Sequence, residues 1–218
     1  MMMRSVVFDV GETLVDETRI FARWADRLGV PRLAFFGLMG GVMARGRPLM
    51  DAFRLVKPGF RLEEEVAAWK AEDPGTLADG FDSADLYPDV RPAFAELRAM
   101  GLGVVVAGNQ PAQARAALEA MDLPVDAVHV SEEWGLEKPD PAFFERVVRE
   151  VGAAPGEIAY VGDRLDNDVL PARAAGMATV LVRRGMHGYL HADDPDAKRA
   201  DLVADALTDI PAWIAGRR

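Results

Sequence analysis

The chain has 218 residues, half of them apolar, which is enough to bury a substantial core and excludes disorder throughout. Its 25 basic residues are outnumbered by 35 acidic ones, and the formal net charge of −10 excludes a broad nucleic-acid footprint or attachment to anionic membranes. With no cysteine, disulfides and thiolate metal sites are excluded too; neither a secretory leader nor a membrane-length apolar run can be laid over the sequence, and a cytoplasmic protein is expected.

In chain order, the apolar run 5–8 predicts a first strand that stops at Asp9. Ile20, Phe21, Trp24, Ala25 and Leu28 then trace one face of a helix, 33–47 is an apolar, glycine-rich helical stretch, and 63–70 is helical again. No strand is predicted before Leu86, so 16–86 reads as a small helical domain inserted into a core made of 1–15 and 87–218, with 82–88 leading the chain back. Four further apolar runs follow at 102–107, 127–130, 158–161 and 177–182, separated by helical stripes such as Val90, Phe94, Leu97 and Met100, or Phe143, Phe144, Val147, Val148 and Val151. A short edge strand at 200–205 and a last helix through Ile210 and Trp213 close the pattern. Continuous rather than alternating hydrophobicity belongs to strands covered on both faces, so the fold class is α/β, a doubly wound and mostly parallel sheet.

Charged residues fall where these strands end, and ligands of open α/β sheets bind at the carboxyl ends of strands. Asp9 closes Val6-Val7-Phe8, placed either as a nucleophile or metal ligand or as an ordinary turn-initiating aspartate. Asp163 ends the 158–161 run, and Asp166 and Asp168 follow it. Carboxylates so close repel each other unless a cation sits among them, and hard oxygen donors suit Mg²⁺. The alternative is an acidic helix start, which fits Asp166 best and Asp163 least. Lys138 precedes a proline-opened helix and is either solvated or the local positive charge that the net balance withholds. Gly108 and Asn109 lead into a helix from Pro111, whose N-terminus favours anions; a plain strand-to-helix turn suits the segment equally.

Together and in this order, these segments resemble the haloacid dehalogenase-like superfamily. Its first motif, D-x-D-x-T after a strand, is matched by Asp9-Val10-Gly11-Glu12-Thr13, and its second, Ser or Thr after a strand, by Gly108 followed by Asn109. The third, a lysine within G-x-x-K-P, is matched by Gly135 to Pro139, and the fourth, G-D-x-x-x-x-D, by Gly162, Asp163 and Asp168. The resemblance implies a Rossmann-like core with a helical cap after the first strand, which closes over the site and selects the substrate. It implies a Mg²⁺-dependent phosphatase of a small phosphorylated metabolite, in which Asp9 attacks phosphorus and water hydrolyses the resulting aspartyl-phosphate. Asp9, Asp163 and the backbone carbonyl of Gly11 would hold the metal, with Asp168 in support. Lys138 would neutralise charge, and Thr13 with the Gly108 and Asn109 amides would orient the transferring group.

Two positions depart from the family pattern. Gly11 stands where phosphatases of the family carry an aspartate as general acid and base, a function worth about 10²–10⁴-fold, which points to substrates with good leaving groups. Gly108 stands where a hydroxyl would bind phosphate. Two rival readings follow. A 2-haloacid dehalogenase also lacks the second aspartate but uses no metal and does not keep the Asp163–Asp168 pair. A catalytically weakened binding or regulatory protein has little reason to keep Asp9, Lys138, Asp163 and Asp168 together.

Other residues read blandly. Arg45, Arg47, Lys57 and Lys70 are expected at the surface, Trp24 in a core and His187 in an exposed loop, while Arg183 and Arg184 either add positive potential or make a surface contact. Trp134, Phe53 and Phe60 are candidates to line an entrance, and Glu12 is expected to point away from the site. Oligomeric state is not legible.

Overall fold

The computed structural model describes residues 2–78 and 80–217. The apolar runs form six strands: β1 (Ser5–Phe8), β2 (Gly103–Gly108), β3 (Ala127–Val130), β4 (Ile158–Gly162), β5 (Ala178–Val182) and β6 (Leu202–Ala204). They build one parallel sheet in the order β3-β2-β1-β4-β5-β6. β1, β4 and β5 are buried along their whole length, which is why no polar alternation interrupts their sequences. Helices cover both faces. Val7 packs with Phe143, Phe144 and Val147 of the helix Pro141–Val151, whereas its neighbour Phe8 points the other way, onto Phe94 of the helix Val90–Ala99 at 4.7 Å between rings.

The register sets up the site. Phe8 lies opposite Val106 of β2 and Val161 of β4, and the Asp9 N–H donates to the Val161 carbonyl at 2.9 Å. The three central strands therefore end within two residues of one another, with Asp9 just past β1, Gly108 the last residue of β2 and Asp163 just past β4. β1 is also where the strand order reverses, the position at which such sheets leave a crevice.

The chain divides into two compact units, Met1–Asp16 with Asp82–Arg218, and Glu17–Phe81. Residues 82–86 go with the α/β unit: Leu86 bridges Val15, and the Asp82 carboxylate caps the turn Ser83–Asp85. The second unit holds the helices Thr18–Arg27, Arg32–Met43, Met50–Val56 and Leu62–Glu72. Its centre is aromatic: Trp24 meets Phe53, Phe60 and Trp69 edge-on at 5.0–5.7 Å, and Phe35 meets Phe53 at 4.9 Å. Trp24 is thus core, as its helical face predicts. Phe53 and Phe60 are core as well, not entrance residues.

Candidate active site

Asp9 follows the last residue of β1, and the chain then turns tightly, with the Leu14 and Val15 N–H groups both donating to Val10 O. Asp163 follows β4. Asp168 closes the single π-helical turn Leu165–Val169 from within, and it reaches back over the end of β4 because residue 162 is glycine; a Cβ there would overlap the Asp168 carboxyl group. Lys138 lies in the loop between the short helix Ser131–Trp134, ended by left-handed Gly135, and the helix Pro141–Val151, whose start is capped by Asp140.

These four side chains converge. Lys138 Nζ is 2.6 Å from Asp9 Oδ1 and 2.6 Å from Asp168 Oδ1, and the lysine is essentially fully buried. The second oxygen of Asp168 accepts from the Arg164 N–H at 3.0 Å. Asp9, Asp163 and Asp168 each present an oxygen within 4.8 Å of the others, and all three are buried. Burial alone would favour neutral Lys138, but the charges of Asp168 and then Asp9 override it and hold the ammonium well above its usual pKa. Burial, then the neighbouring Asp168, Asp9 and Glu12, push the Asp163 carboxyl well up, with Lys138 opposing. Asp168 is raised to about 6 by burial, although Lys138 pulls it down. One ammonium facing three buried carboxylates leaves a formal excess of two negative charges, the imbalance that a divalent cation with oxygen ligands matches.

The remaining sequence candidates surround this cluster. Gly11, in the turn after Asp9, bridges Val15. Thr13 is fully buried, and its hydroxyl has no hydrogen-bond partner among the described residues. Gly108 lies against the nucleophile candidate itself: a Cβ at this position would stand 2.5 Å from Asp9 Oδ1. Asn109 turns its side chain to Lys138, accepting from its N–H at 2.8 Å and donating to its carbonyl at 2.9 Å.

Several expectations need correction. Glu12 does not simply point away; it sits at φ 51°, accepts from the Tyr87 hydroxyl at 2.5 Å and adds to the field on Asp163. His187 is not in an exposed loop but half-buried in the helix Gly185–Ala192. Arg184 makes no surface contact: it is buried, pairs with Asp89 at 2.6 Å and donates to Thr13 O at 3.1 Å. Asp166 pairs with Arg164 at 2.6 Å. Arg47 pairs with Asp51 at the surface, and Arg45 is exposed. Tyr160 was missed by sequence reasoning. Its ring lies 5.5 Å from Lys138 Nζ, and its buried hydroxyl donates to Ala107 O at 2.7 Å. The available signal was a phenol inside a wholly buried strand, since such a hydroxyl needs a partner.

Comparison with known proteins gives a consistent picture. Residues 3–176 match the haloacid dehalogenase-like hydrolases. The glyceraldehyde 3-phosphate phosphatase of Methanopyrus kandleri is 40% identical over 128 residues, 57% of this chain and 53% of that protein. The phosphoserine phosphatase of Thermus thermophilus is 35% identical over 68% of this chain and 64% of its own length. The chain thus spans only about half to two thirds of these relatives. Among solved structures, the L-2-haloacid dehalogenase of Xanthobacter autotrophicus with chloropropionic acid covalently bound superimposes with a TM-score of 0.69 over 100% of both chains at 21% identity, a likeness of fold. No helix among the described residues is long and apolar enough to cross a membrane.

Proposed function

The chain belongs to the haloacid dehalogenase-like hydrolase family, and from that premise we propose that it hydrolyses phosphate monoesters of a small molecule, with Asp9 as nucleophile and Mg²⁺ held at the Asp9–Asp163–Asp168 cluster. The observation that carries the reading is the convergence of Lys138 on Asp9 and Asp168 beside Asp163, a buried site with surplus negative charge. The names of the two phosphatase relatives support a phosphorylated substrate.

Asp9 attacks phosphorus in line with the ester oxygen. The P–O ester bond breaks, its electron pair leaves with the alcohol oxygen, and an aspartyl-phosphate forms. Water then attacks the same phosphorus and frees both the Asp9 carboxylate and inorganic phosphate. Lys138, already ionised and fixed, offsets charge on the transferring group and needs no rearrangement to do so. Asp168, with both oxygens engaged, holds Lys138 and would support the metal shell, while Asp9, Asp163 and the Gly11 carbonyl would serve as the ligands. When bound, the cation polarises a phosphoryl oxygen and counters the developing charge. The buried Thr13 hydroxyl and the Gly108 and Asn109 N–H groups orient the phosphoryl oxygens. Nothing at Gly11 can protonate the departing oxygen, so substrates with good leaving groups, such as a sugar 1-phosphate or an acyl phosphate, turn over best. The helical unit Glu17–Phe81 acts as the substrate-selecting cap.

The test is a screen of phosphoserine, glyceraldehyde 3-phosphate, a sugar 1-phosphate and 2-chloropropionate, with Mg²⁺ or with chelator, on wild type and Asp9→Asn. Phosphate release that is lost with chelator and with Asp9→Asn is expected. Chloride release that survives chelator would transfer the protein to the dehalogenase reading.

A further inference from the structure

Among the described residues, Lys138 carries the only ammonium paired with Asp9 and Asp168, yet it stands in a loop, with no strand or helix to fix its backbone. What fixes it comes from the end of β2. The Asn109 side chain closes on both backbone polar groups of this one residue, 29 positions away: Oδ1 accepts from its N–H at 2.8 Å and Nδ2 donates to its carbonyl at 2.9 Å. An amide that clasps the N–H and C=O of a single residue restrains the backbone torsions between them, and so the direction in which the side chain leaves. Beneath that side chain lies the ring of Tyr160, itself anchored through its hydroxyl to Ala107 O, again at the end of β2. One strand terminus thus holds the lysine backbone directly and anchors the ring that its side chain lies against. With both its polar atoms committed to Lys138, the Asn109 side chain is turned to the lysine, leaving its backbone N–H as the group for phosphate.

We propose that the Asn109 side chain is a positioning group, which sets the Lys138 ammonium between Asp9 and Asp168 and acts on the reaction only through it. The kinetic consequence rests on the phosphatase reading; the placement of Lys138 does not. A displacement of about 1 Å at such a group costs on the order of 10²-fold in rate.

The experiment is a double-mutant cycle read in two ways. Wild type, Asn109→Ala, Asn109→Ser, Lys138→Ala and the Asn109→Ala/Lys138→Ala pair are assayed for hydrolysis of p-nitrophenyl phosphate with Mg²⁺. Wild type, Asn109→Ala and Asn109→Ser, free of metal, are also reductively methylated, and modification of Lys138 is measured by peptide mass spectrometry. Asn109→Ala is expected to lower kcat by about 10- to 100-fold with KM changed by less than about threefold, and Asn109→Ser to fall between it and wild type. On the Lys138→Ala background, Asn109→Ala is expected to change kcat by less than about twofold, because the group it acts through is gone. Methylation of Lys138 is expected to rise clearly in Asn109→Ala. Equal fold losses on both backgrounds, or unchanged methylation, would overturn the proposal. Should Asn109→Ala not fold, as judged by its thermal melt, Asn109→Ser carries both readouts. Should wild type release no phosphate, the phosphatase reading alone fails, and methylation decides the placement.

Discussion

The two units of this chain spend burial in opposite ways. Among the described residues, every polar or charged residue buried as a whole, from Ser5 and Asp9 to Thr179 and Arg184, belongs to the α/β unit; the wholly buried residues of the helical unit Glu17–Phe81 are apolar, although the Nε of its half-buried Arg23 is shielded as well. Its charges, such as Arg32 with Asp26 and Arg47 with Asp51, pair at the surface instead. Apolar burial stabilises without specifying chemistry, whereas three buried carboxylates around one lysine are costly to desolvate and are organised for something other than stability. The contrast separates a unit whose substitutions should alter folding from one whose substitutions should alter chemistry.

The largest effects should fall in the α/β unit. Asp9→Asn is expected to lower phosphate release by about 10⁴-fold or more, and Lys138→Ala by about 10²–10³-fold, both with well-formed folds by circular dichroism. A comparable loss from Trp24→Ala without unfolding would break the contrast. Restoring the family hydroxyl by Gly108→Ser sharpens it. The motif alone predicts a gain, but the new Cβ meets Asp9 Oδ1, so a loss of about 10-fold or more in kcat is expected; unchanged or improved kcat would mean that the Asp9 carboxylate does not sit against Gly108. In the helical unit, Trp24→Ala should cost about 3–5 kcal/mol by denaturant titration, through the cavity left among Phe53, Phe60 and Trp69.

A smaller effect concerns pH. Burial first, and then Arg164 and His191, lower the pKa of His187 from 6.5 to about 4, with Asp166 opposing. Between those values the unfolded chain binds the extra proton, so stability from this residue is complete above about pH 6.5 and is lost as pH falls towards 4. Thermal melts across that window should show His187→Gln with a shallower acid decline than wild type, the difference being on the order of 2 kcal/mol. The smallest effect belongs to the helical unit's surface: Arg32→Ala should leave both melting temperature and turnover as they are, despite its well-formed pair with Asp26.

How much could be read beforehand follows from which forces are local. The strands were legible because their two buried faces leave unbroken β-branched runs, and the order of strand-end motifs pointed to Asp9, Lys138, Asp163 and Asp168. The helix Gly185–Ala192 was not, since two glycines lower its intrinsic propensity and only packing against β5 makes it a helix. The helix Met50–Val56 was missed for its brevity, because its anchor, Phe53, gains meaning only beside Trp24 and Phe35. Arg184 looked like surface charge because its partner Asp89 lies 95 positions away. The clasp of Asn109 on Lys138 is likewise a contact between distant segments, invisible to any local pattern.

The central claim is that Asp9 exchanges a bond with phosphorus, and the stereochemistry at phosphorus tests it most directly. For a thiophosphate ester made chiral with oxygen isotopes and hydrolysed with Mg²⁺ in isotopically labelled water, the account predicts overall retention, because Asp9 and then water each invert the centre. Inversion, the signature of one direct attack by water, contradicts it.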